Sequence, residues 1–196
     1  MPIIALTGGI ACGKSTVAGF LRECGAFIVD ADEISRSLTA PGGSALPQLR
    51  EAFGSDIFLP DGTLSRPALA SIVFADEQQR ERLNALLHPL IREQMAAQAQ
   101  KGMESGAKVV VLDVPLLFEA HMQDMADQIV CVCAPEEVQI ERMKSRNGYT
   151  REEALSRIRS QWPLEDKMRL SDIVLPTDQP LDQLRADVRS LYESWA

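Results

Sequence analysis

The sequence predicts an α/β fold in which helices cover a parallel sheet of five strands. Five short apolar runs, beginning near residues 3, 26, 109, 128 and 171, are typical of buried strands. Segments of helical periodicity lie between most of them. The first two runs are joined by one helix that ends at Gly25, and this order of strand, helix and strand is the βαβ unit of parallel sheets.

The composition argues against two classes of partner. The chain has 196 residues, 45% of them hydrophobic, and a formal net charge of −8. Proteins that bind nucleic acid or an anionic membrane need a basic face, so we expect neither partner. Residues 1–2 lead directly into the first strand, without a signal peptide or a membrane-spanning apolar run, which predicts a cytoplasmic protein. We expect a monomer, with a small homo-oligomer as the alternative.

The loop after the first strand has the spacing of a phosphate cradle. Gly8, four further residues, and then Gly13, Lys14 and Ser15 fit the pattern G-x-x-x-x-G-K-[ST], in which glycines turn backbone N–H groups toward phosphate oxygens. The pattern predicts that Lys14 reaches the β- and γ-phosphates of ATP and that Ser15 binds Mg²⁺. The expected ATP-binding residues of this loop are Gly9, Ile10, Ala11, Cys12, Gly13, Lys14, Ser15 and Thr16.

Three carboxylates follow or end predicted strands. Asp30 and Asp32 follow the second strand, which we expect beside the phosphate loop. One of them can cap a helix, while the other can accept the proton of an acceptor hydroxyl or hold water on Mg²⁺; we favour Asp32 as the general base. Asp113 ends the third strand. Direct binding of Mg²⁺ by Asp32 or by Asp113 stays open.

Two helical regions interrupt the strands. Residues 33–106 contain helical segments broken by Pro and Gly turns, and this insertion is a candidate acceptor-binding subdomain. Residues 136–170 contain two helices separated at Gly148, and a capping box of Thr150 and Glu153 starts the second one. The rest of the chain, residues 1–32, 107–135 and 171–196, is the expected core of a single domain.

The second helical region has the charge of a lid over phosphates. Residues 142–159 carry six basic and two acidic side chains, a net charge of +4 within a chain of −8. This reversal favours a phosphate-facing lid over an ordinary solvated helix face. Arg142 and Arg146 lie four residues apart on one helix face, so we expect both at ATP, with a guanidinium at the transferring phosphoryl group.

Several stretches resemble the dephospho-coenzyme A kinase family. In chain order they are Thr7-Gly8-Gly9-Ile10, Gly13-Lys14-Ser15-Thr16, Asp30-Ala31-Asp32, His88-Pro89-Leu90-Ile91, Val114-Pro115-Leu116-Leu117-Phe118-Glu119, Gln139-Ile140-Glu141-Arg142-Met143, Arg146-Asn147, Arg157-Ile158 and Gln161. The phosphate loop alone would fit many unrelated proteins, but this ordered series spans residues 3–174. The resemblance implies a three-layer P-loop kinase fold with a helical acceptor-binding subdomain and a helical lid. It also implies ATP-dependent phosphorylation of the 3′-hydroxyl of dephospho-coenzyme A to give coenzyme A, the last step of coenzyme A biosynthesis.

The resemblance further implies individual roles. By position, Asp32 is the general base, Arg142 is the lid arginine at the transferring phosphate, and Arg146 lies near the nucleotide; with Lys14, the first two form the expected catalytic set. The wall of the acceptor site is then formed by Asp32, His88, Pro115, Leu116, Leu117, Phe118 and Glu119. From the residues alone, His88 before a proline is as compatible with a bend in a helix as with a ligand contact.

The chain departs from the family at two loops. After the fifth strand it has Thr177-Asp178 near the place where the family usually carries an Asp-Asn pair, so no contact to adenine is carried over from this loop. The phosphate loop has Ala11-Cys12 where the family often has Gly-Ser. Because Cys12 lies near Lys14 and a helix N-terminus, we expect its thiol to have a lowered pKa and its alkylation to block ATP binding.

Two other functions are compatible with a phosphate loop, and the residues alone argue against the first of them. A nucleotide-dependent switch that binds GTP and a partner protein normally carries Asn-Lys-x-Asp, but neither Asn84 nor Asn147 is followed by Lys. Another small-metabolite or nucleoside monophosphate kinase would share the phosphate loop and the lid, so only the acceptor distinguishes it.

Overall fold

The computed structural model describes all 196 residues, and its centre is a five-stranded sheet in the order β2-β3-β1-β4-β5. The strands are β1 (Ile3–Gly8), β2 (Phe27–Asp30), β3 (Val110–Asp113), β4 (Gln128–Cys133) and β5 (Ile173–Pro176). The predicted α/β fold with a parallel five-stranded sheet is confirmed. The expectation that β2 lies beside β1 was wrong. The completely buried β3 takes that inner place, whereas β2, which is only partly buried, lies at the edge.

Nine α-helices accompany the sheet, together with short 3₁₀ turns at Ser55–Ile57 and Gln123–Met125. The helices are α1 (Lys14–Cys24), α2 (Ala31–Leu38), α3 (Leu46–Phe53), α4 (Arg66–Ala75), α5 (Glu77–Glu104), α6 (Glu136–Asn147), α7 (Arg151–Arg159), α8 (Leu164–Arg169) and α9 (Leu181–Trp195). None of them combines the length and the apolar composition needed to cross a bilayer.

The chain divides into two compact units, one made of Met1–Val29 with Gln98–Ala196 and one made of Asp30–Ala97. In the first unit, one apolar cluster joins the sheet to α1 and α9. Its buried members include Ile4, Leu6, Val111 and Val130 of the strands, Val17 and Leu21 of α1, and Leu184 and Val188 of α9. The Trp195 ring packs against this cluster, and its indole N–H donates to Gln128 Oε1 at 3.0 Å, as expected for a packing residue.

The register of the sheet brings the carboxyl ends of three strands to one edge. Leu6 of β1 pairs with Asp113 of β3 and with Val130 of β4. Gly8, at the end of β1, has a φ of 157°, and a Cβ there would lie 2.4 Å from the Val132 carbonyl oxygen. Only glycine fits so close to β4, so the chain can leave the sheet at Gly8 directly beside Val132.

The second unit is almost entirely helical. Asp30 caps α2 by accepting a hydrogen bond from the Glu33 N–H at 2.9 Å, and Ser65 caps α4 through the Ala68 N–H at 3.4 Å. A single antiparallel bridge joins Phe58 to Leu64. Pro89 lies inside α5, which continues through it to Glu104, so the proline removes one N–H donor without ending the helix.

The helices of residues 136–170 belong to the first unit. Gly148, with a φ of 70°, ends α6, and both hydrogen bonds of the predicted capping box between Thr150 and Glu153 are present at the start of α7. Ile140 and Met143 of α6 form a small buried cluster with Ala154 of α7. The predicted arrangement of helix, turn and helix is confirmed.

Candidate active site

The loop between β1 and α1 borders a cleft of about 650 Å³. Gly13 precedes α1 with a φ of 87°, and the helix begins at Lys14 with its positive dipole end at the cleft. The cleft is lined by Gly9, Ala11, Cys12, Gly13, Lys14, Ser15 and Thr16 of the loop, by Glu141, Arg142, Ser145 and Arg146 of α6, and by Thr177, Gln179, Leu181 and Leu184. The structure therefore brings the predicted ATP-binding residues to one place, with the exception of Ile10, which lines a second cleft.

The Lys14 ammonium forms an ion pair with the carboxylate of Asp113. Both side chains are largely buried, with exposed fractions of 16% and 9%. A buried ammonium needs a counter-charge, and the register that brings β3 beside β1 supplies it. The Lys14 ammonium therefore lies on the side of β1 at which β3 is paired.

The outer side of the phosphate loop is hydrogen-bonded at three consecutive residues. The Ile10 N–H donates to Gln161 Oε1 at 3.1 Å, and Arg142 donates to the Ala11 carbonyl oxygen at 3.2 Å. The Thr177 hydroxyl donates to the Cys12 carbonyl oxygen at 2.6 Å. Of the three side chains, Gln161 follows α7, Arg142 lies on α6, and Thr177 follows β5. Elements distant in the chain therefore hold the loop.

The Arg142 side chain lies on the opposite side of the phosphate loop from the ion pair of Lys14 and Asp113. Its guanidinium donates to the hydroxyl of Thr177 at 2.9 Å and to the carbonyl oxygen of the same residue at 2.7 Å. Thr177 follows β5, whereas Asp113 ends β3, and β1 lies between these two sides of the sheet. The two cations of the expected catalytic set, Lys14 and Arg142, therefore have their partners on opposite sides of β1.

Several of the basic side chains between residues 142 and 159 contact other residues of α6, of α7 or of the turn between them. Arg151 forms an ion pair with Glu137, and this exposed pair lowers the pKa of the Glu137 carboxyl. Arg157 lies over the ring of Tyr149, 4.3 Å from its centroid. Arg146 also lines the cleft beside the phosphate loop, and its Nη groups make no hydrogen bond within the chain. The local charge of +4 is thus only partly directed at the cleft.

The expectation that Cys12 has a lowered pKa was wrong. The side chain is completely buried and belongs to the apolar cluster beneath the loop. Burial raises the pKa of the Cys12 thiol to about 11, because its loss of solvation outweighs the nearby hydrogen bonds and the charge of Arg142. The thiol therefore stays protonated at neutral pH.

The segment that follows β3 is tied to α8 by a buried ion pair. Glu119 Oε1 lies 2.6 Å from Nζ of Lys167, a side chain with no exposed surface, and it also accepts from the Trp162 N–H at 3.1 Å. Glu119 Oε2 is buried and has no hydrogen-bond partner. Among the predicted wall residues, Leu117 and Phe118 are buried in the core, Pro115 is half-buried, and Leu116 is 45% exposed.

A second cleft, of about 540 Å³, lies beside this segment. It is lined by Gly9, Ile10, Ala134, Pro135, Glu136, Gln139, Ile158, Arg159, Gln161, Trp162, Pro163, Leu164, Glu165 and Met168. The Trp162 ring is 40% exposed and stacks on Phe118, with ring centroids 6.4 Å apart. Phe118 therefore supports Trp162, which lines this cleft, but Phe118 does not line the cleft itself.

Two of the predicted site residues lie in the helical unit. Asp32 is in the first turn of α2, and its exposed carboxylate makes no hydrogen bond or ion pair, whereas the neighbouring Asp30 is used as the cap. His88 lies half-buried within α5. The structure thus assigns the capping role, which the sequence left open, to Asp30.

The residues present fit a magnesium ion held jointly with phosphate. No three His, Cys, Asp or Glu side chains are grouped to hold a metal ion by themselves. Mg²⁺ is usually bound through few protein ligands, substrate phosphates and water. Ser15, exposed in the first turn of α1 beside Lys14, presents a hydroxyl of the required kind at the cleft.

Comparison with known proteins shows the family to which the chain belongs. A family model described as dephospho-CoA kinase matches residues 2–183. The chain belongs to the dephospho-CoA kinase family. A dephospho-CoA kinase of Geobacillus kaustophilus is 41% identical over 98% of this chain and 96% of its own length. The resemblance identified in the sequence is therefore confirmed.

Two solved structures are similar in fold to this chain. A crystal structure of a protein from Thermus thermophilus has a TM-score of 0.84 and 32% identity, and covers 100% of this chain and 98% of that one. A dephospho-CoA kinase from Campylobacter jejuni has a TM-score of 0.73 at 22% identity, with coverages of 98% and 96%. The predicted P-loop kinase fold is confirmed by these likenesses.

Sequence reasoning missed some residues that line or support the clefts. Thr177 follows a strand at the ligand edge of the sheet, a position that could have marked it. No such signal marks Gln179 or Lys167, because a glutamine in a loop and a lysine on a short helix are usually solvated. Trp162 carries no such signal either. Their importance depends on tertiary packing.

The backbone at Ala11 generates a stability prediction. Its φ of 57° is in the left-handed region, which costs a residue with a Cβ roughly 1–2 kcal/mol. We expect Ala11→Gly to raise the free energy of unfolding by about 1 kcal/mol, measured by urea denaturation. The control Ala96→Gly, at an exposed position inside α5, should lower it by about 1 kcal/mol. A loss of stability in Ala11→Gly would contradict strain at this residue.

Proposed function

We propose that this protein transfers the γ-phosphoryl group of ATP to the 3′-hydroxyl of dephospho-CoA and so completes coenzyme A. The observation that carries the proposal is the match of residues 2–183 to the dephospho-CoA kinase family. Phosphoryl transfer requires groups that position and neutralise the phosphates of the donor. The phosphate loop with Lys14, which is paired to Asp113, and the arginines of α6 supply such groups. We place the reaction in the cytoplasm and propose a monomer without a nucleic acid or membrane partner.

On the donor side, we assign the phosphates of ATP to the loop and to the N-terminus of α1. Lys14 exchanges its contact with Asp113 for the β- and γ-phosphates, and the Nη groups of Arg146 supply a further positive charge. Ser15 would hold Mg²⁺, which when bound neutralises charge on the phosphates. Arg142, hydrogen-bonded to Thr177, lines the same cleft, and we assign its guanidinium to ATP, at the transferring phosphate or at the base beside Thr177.

On the acceptor side, we assign binding to His88 and the segment of residues 115–119. Glu119 Oε2 is buried without a partner, and a donor group of the acceptor would satisfy it. Asp32 accepts the proton of the attacking hydroxyl, because Asp30 is already engaged as a helix cap and the carboxylate of Asp32 is exposed and unbonded.

The acceptor decides between this activity and that of a related kinase. Radiolabelled γ-phosphate of ATP should appear on dephospho-CoA when Mg²⁺ is present, and neither adenosine monophosphate nor shikimate should be labelled at a comparable rate. Omission of Mg²⁺ should abolish transfer. Labelling of one of the other acceptors without dephospho-CoA would sink the proposed function.

The ion pair of Lys14 and Asp113 predicts that removal of Lys14 affects the rate of phosphoryl transfer and the stability of the fold separately. Lys14→Ala should lower kcat/KM by about 10³-fold or more, because it removes a charge clamp on the phosphates. It should also lower the free energy of unfolding by about 3 kcal/mol, because the largely buried Asp113 loses its Lys14 counter-charge. The double variant Lys14→Ala/Asp113→Asn should recover most of the stability but little of the transfer rate. Recovery of both would remove Lys14 from the mechanism.

The two neighbouring aspartates provide a matched pair for the general base. Asp32→Asn should lower kcat by about 10²- to 10⁴-fold with little change in the KM of either substrate. Asp30→Asn should keep both turnover and stability, because Asn caps a helix as well as Asp does. Steady-state kinetics with ATP and dephospho-CoA measure both variants. Full turnover in Asp32→Asn would show that another group takes the proton.

A further inference from the structure

The part of the nucleotide cleft built by the loop after β5 and the start of α9 suits an aromatic base. Leu181 and Leu184 present apolar side chains to it, and Arg142 presents a planar guanidinium. Both kinds of surface pack against the face of a heterocycle. Gln179 is the amide side chain among these lining residues, so it can contact the edge of a base.

The orientation of the Gln179 amide follows from its partners. Nε2 donates to Oδ2 of Asp187 at 2.9 Å and to the Pro176 carbonyl oxygen at 3.0 Å. A carboxylate and a carbonyl can only accept, so the nitrogen must face them and cannot exchange places with the oxygen. Asp187 is itself held, because its Oδ1 accepts from Gln183 Nε2 at 2.9 Å. Gln179 Oε1 makes no hydrogen bond within the chain and is the group that stays available to a ligand.

We propose that Gln179, fixed by Asp187, determines the choice of base by accepting a hydrogen bond from the exocyclic amino group of adenine. Adenine carries a donor at this position, whereas a purine with a 6-carbonyl carries an acceptor that would face Oε1 directly. Two acceptors without a proton between them disfavour binding, so the fixed amide rejects the 6-carbonyl purine. The inference rests on the proposed function only in taking the cleft as a nucleoside triphosphate site.

The test compares ATP with inosine triphosphate, whose base has a carbonyl at purine C6 in place of the amino group and a proton on N1. Dissociation constants of the two Mg²⁺ complexes are measured by titration calorimetry on the full chain, without acceptor. We expect the unaltered protein to bind ATP about 10- to 100-fold more tightly. Equal affinities would overturn the inference.

Two variants test the Gln179 amide and the hydrogen bond to Asp187 that fixes its orientation. Gln179→Leu should bring the affinity ratio close to one through weaker binding of ATP. In Asp187→Asn, the introduced oxygen accepts from Gln183 and the introduced NH₂ faces Gln179. The Gln179 amide then keeps only the Pro176 carbonyl oxygen as an acceptor for Nε2, so its orientation is no longer fixed by two acceptors. We expect this variant to bind inosine triphosphate more tightly and to lower the ratio about tenfold. An unchanged ratio in both variants would overturn the proposal.

The control is Gln183→Ala, which removes an exposed amide bonded to the other oxygen of Asp187. It should leave the ratio unchanged, and a fall as large as that in Asp187→Asn would mean that the helix end, and not the Gln179 amide, sets the preference. Transfer to dephospho-CoA is assayed separately. Absence of transfer with the expected ratios would sink the proposed function alone, whereas transfer with unchanged ratios would sink this inference alone.

Discussion

The phosphate loop is held from outside at three consecutive residues, and the site depends on this support. Ile10, Ala11 and Cys12 are bonded in turn by side chains that come from the end of α7, from α6 and from the loop after β5. At about 1 kcal/mol each, these hydrogen bonds offset the cost of the left-handed backbone at Ala11. The glycine spacing permits the cradle, but residues more than 130 positions away in the chain maintain its shape.

Local features of the fold were predictable because local chemistry decides them. The spacing of Gly8, Gly13 and Lys14 defines the loop, and the capping box of Thr150 and Glu153 is formed by residues three apart. Gly148 ends α6 for the same kind of reason, since its left-handed backbone suits a residue without a Cβ. The ordered motifs then predicted the family, which the comparisons confirmed.

Features that depend on side-chain direction and packing were not predictable. Nothing near Cys12 in the sequence shows that its thiol turns into the core, where burial raises its pKa. The sequence order of β2 and β3 does not reveal which of them lies next to β1. The basic residues of the lid add up to a positive charge, but only the structure shows that Arg151 and Arg157 are engaged away from the nucleotide cleft. Likewise, the role of Gln179 depends on Asp187, eight residues away on α9.

The contacts of Arg142 have a consequence for motion. Its guanidinium makes three hydrogen bonds to the phosphate loop and to the residue after β5, so α6 is fastened to the sheet at its middle. At about 1 kcal/mol or more for each bond, a state with α6 lifted away would be populated in fewer than about one molecule in a hundred. Helix α6 therefore forms a fixed wall of the cleft beside the phosphate loop.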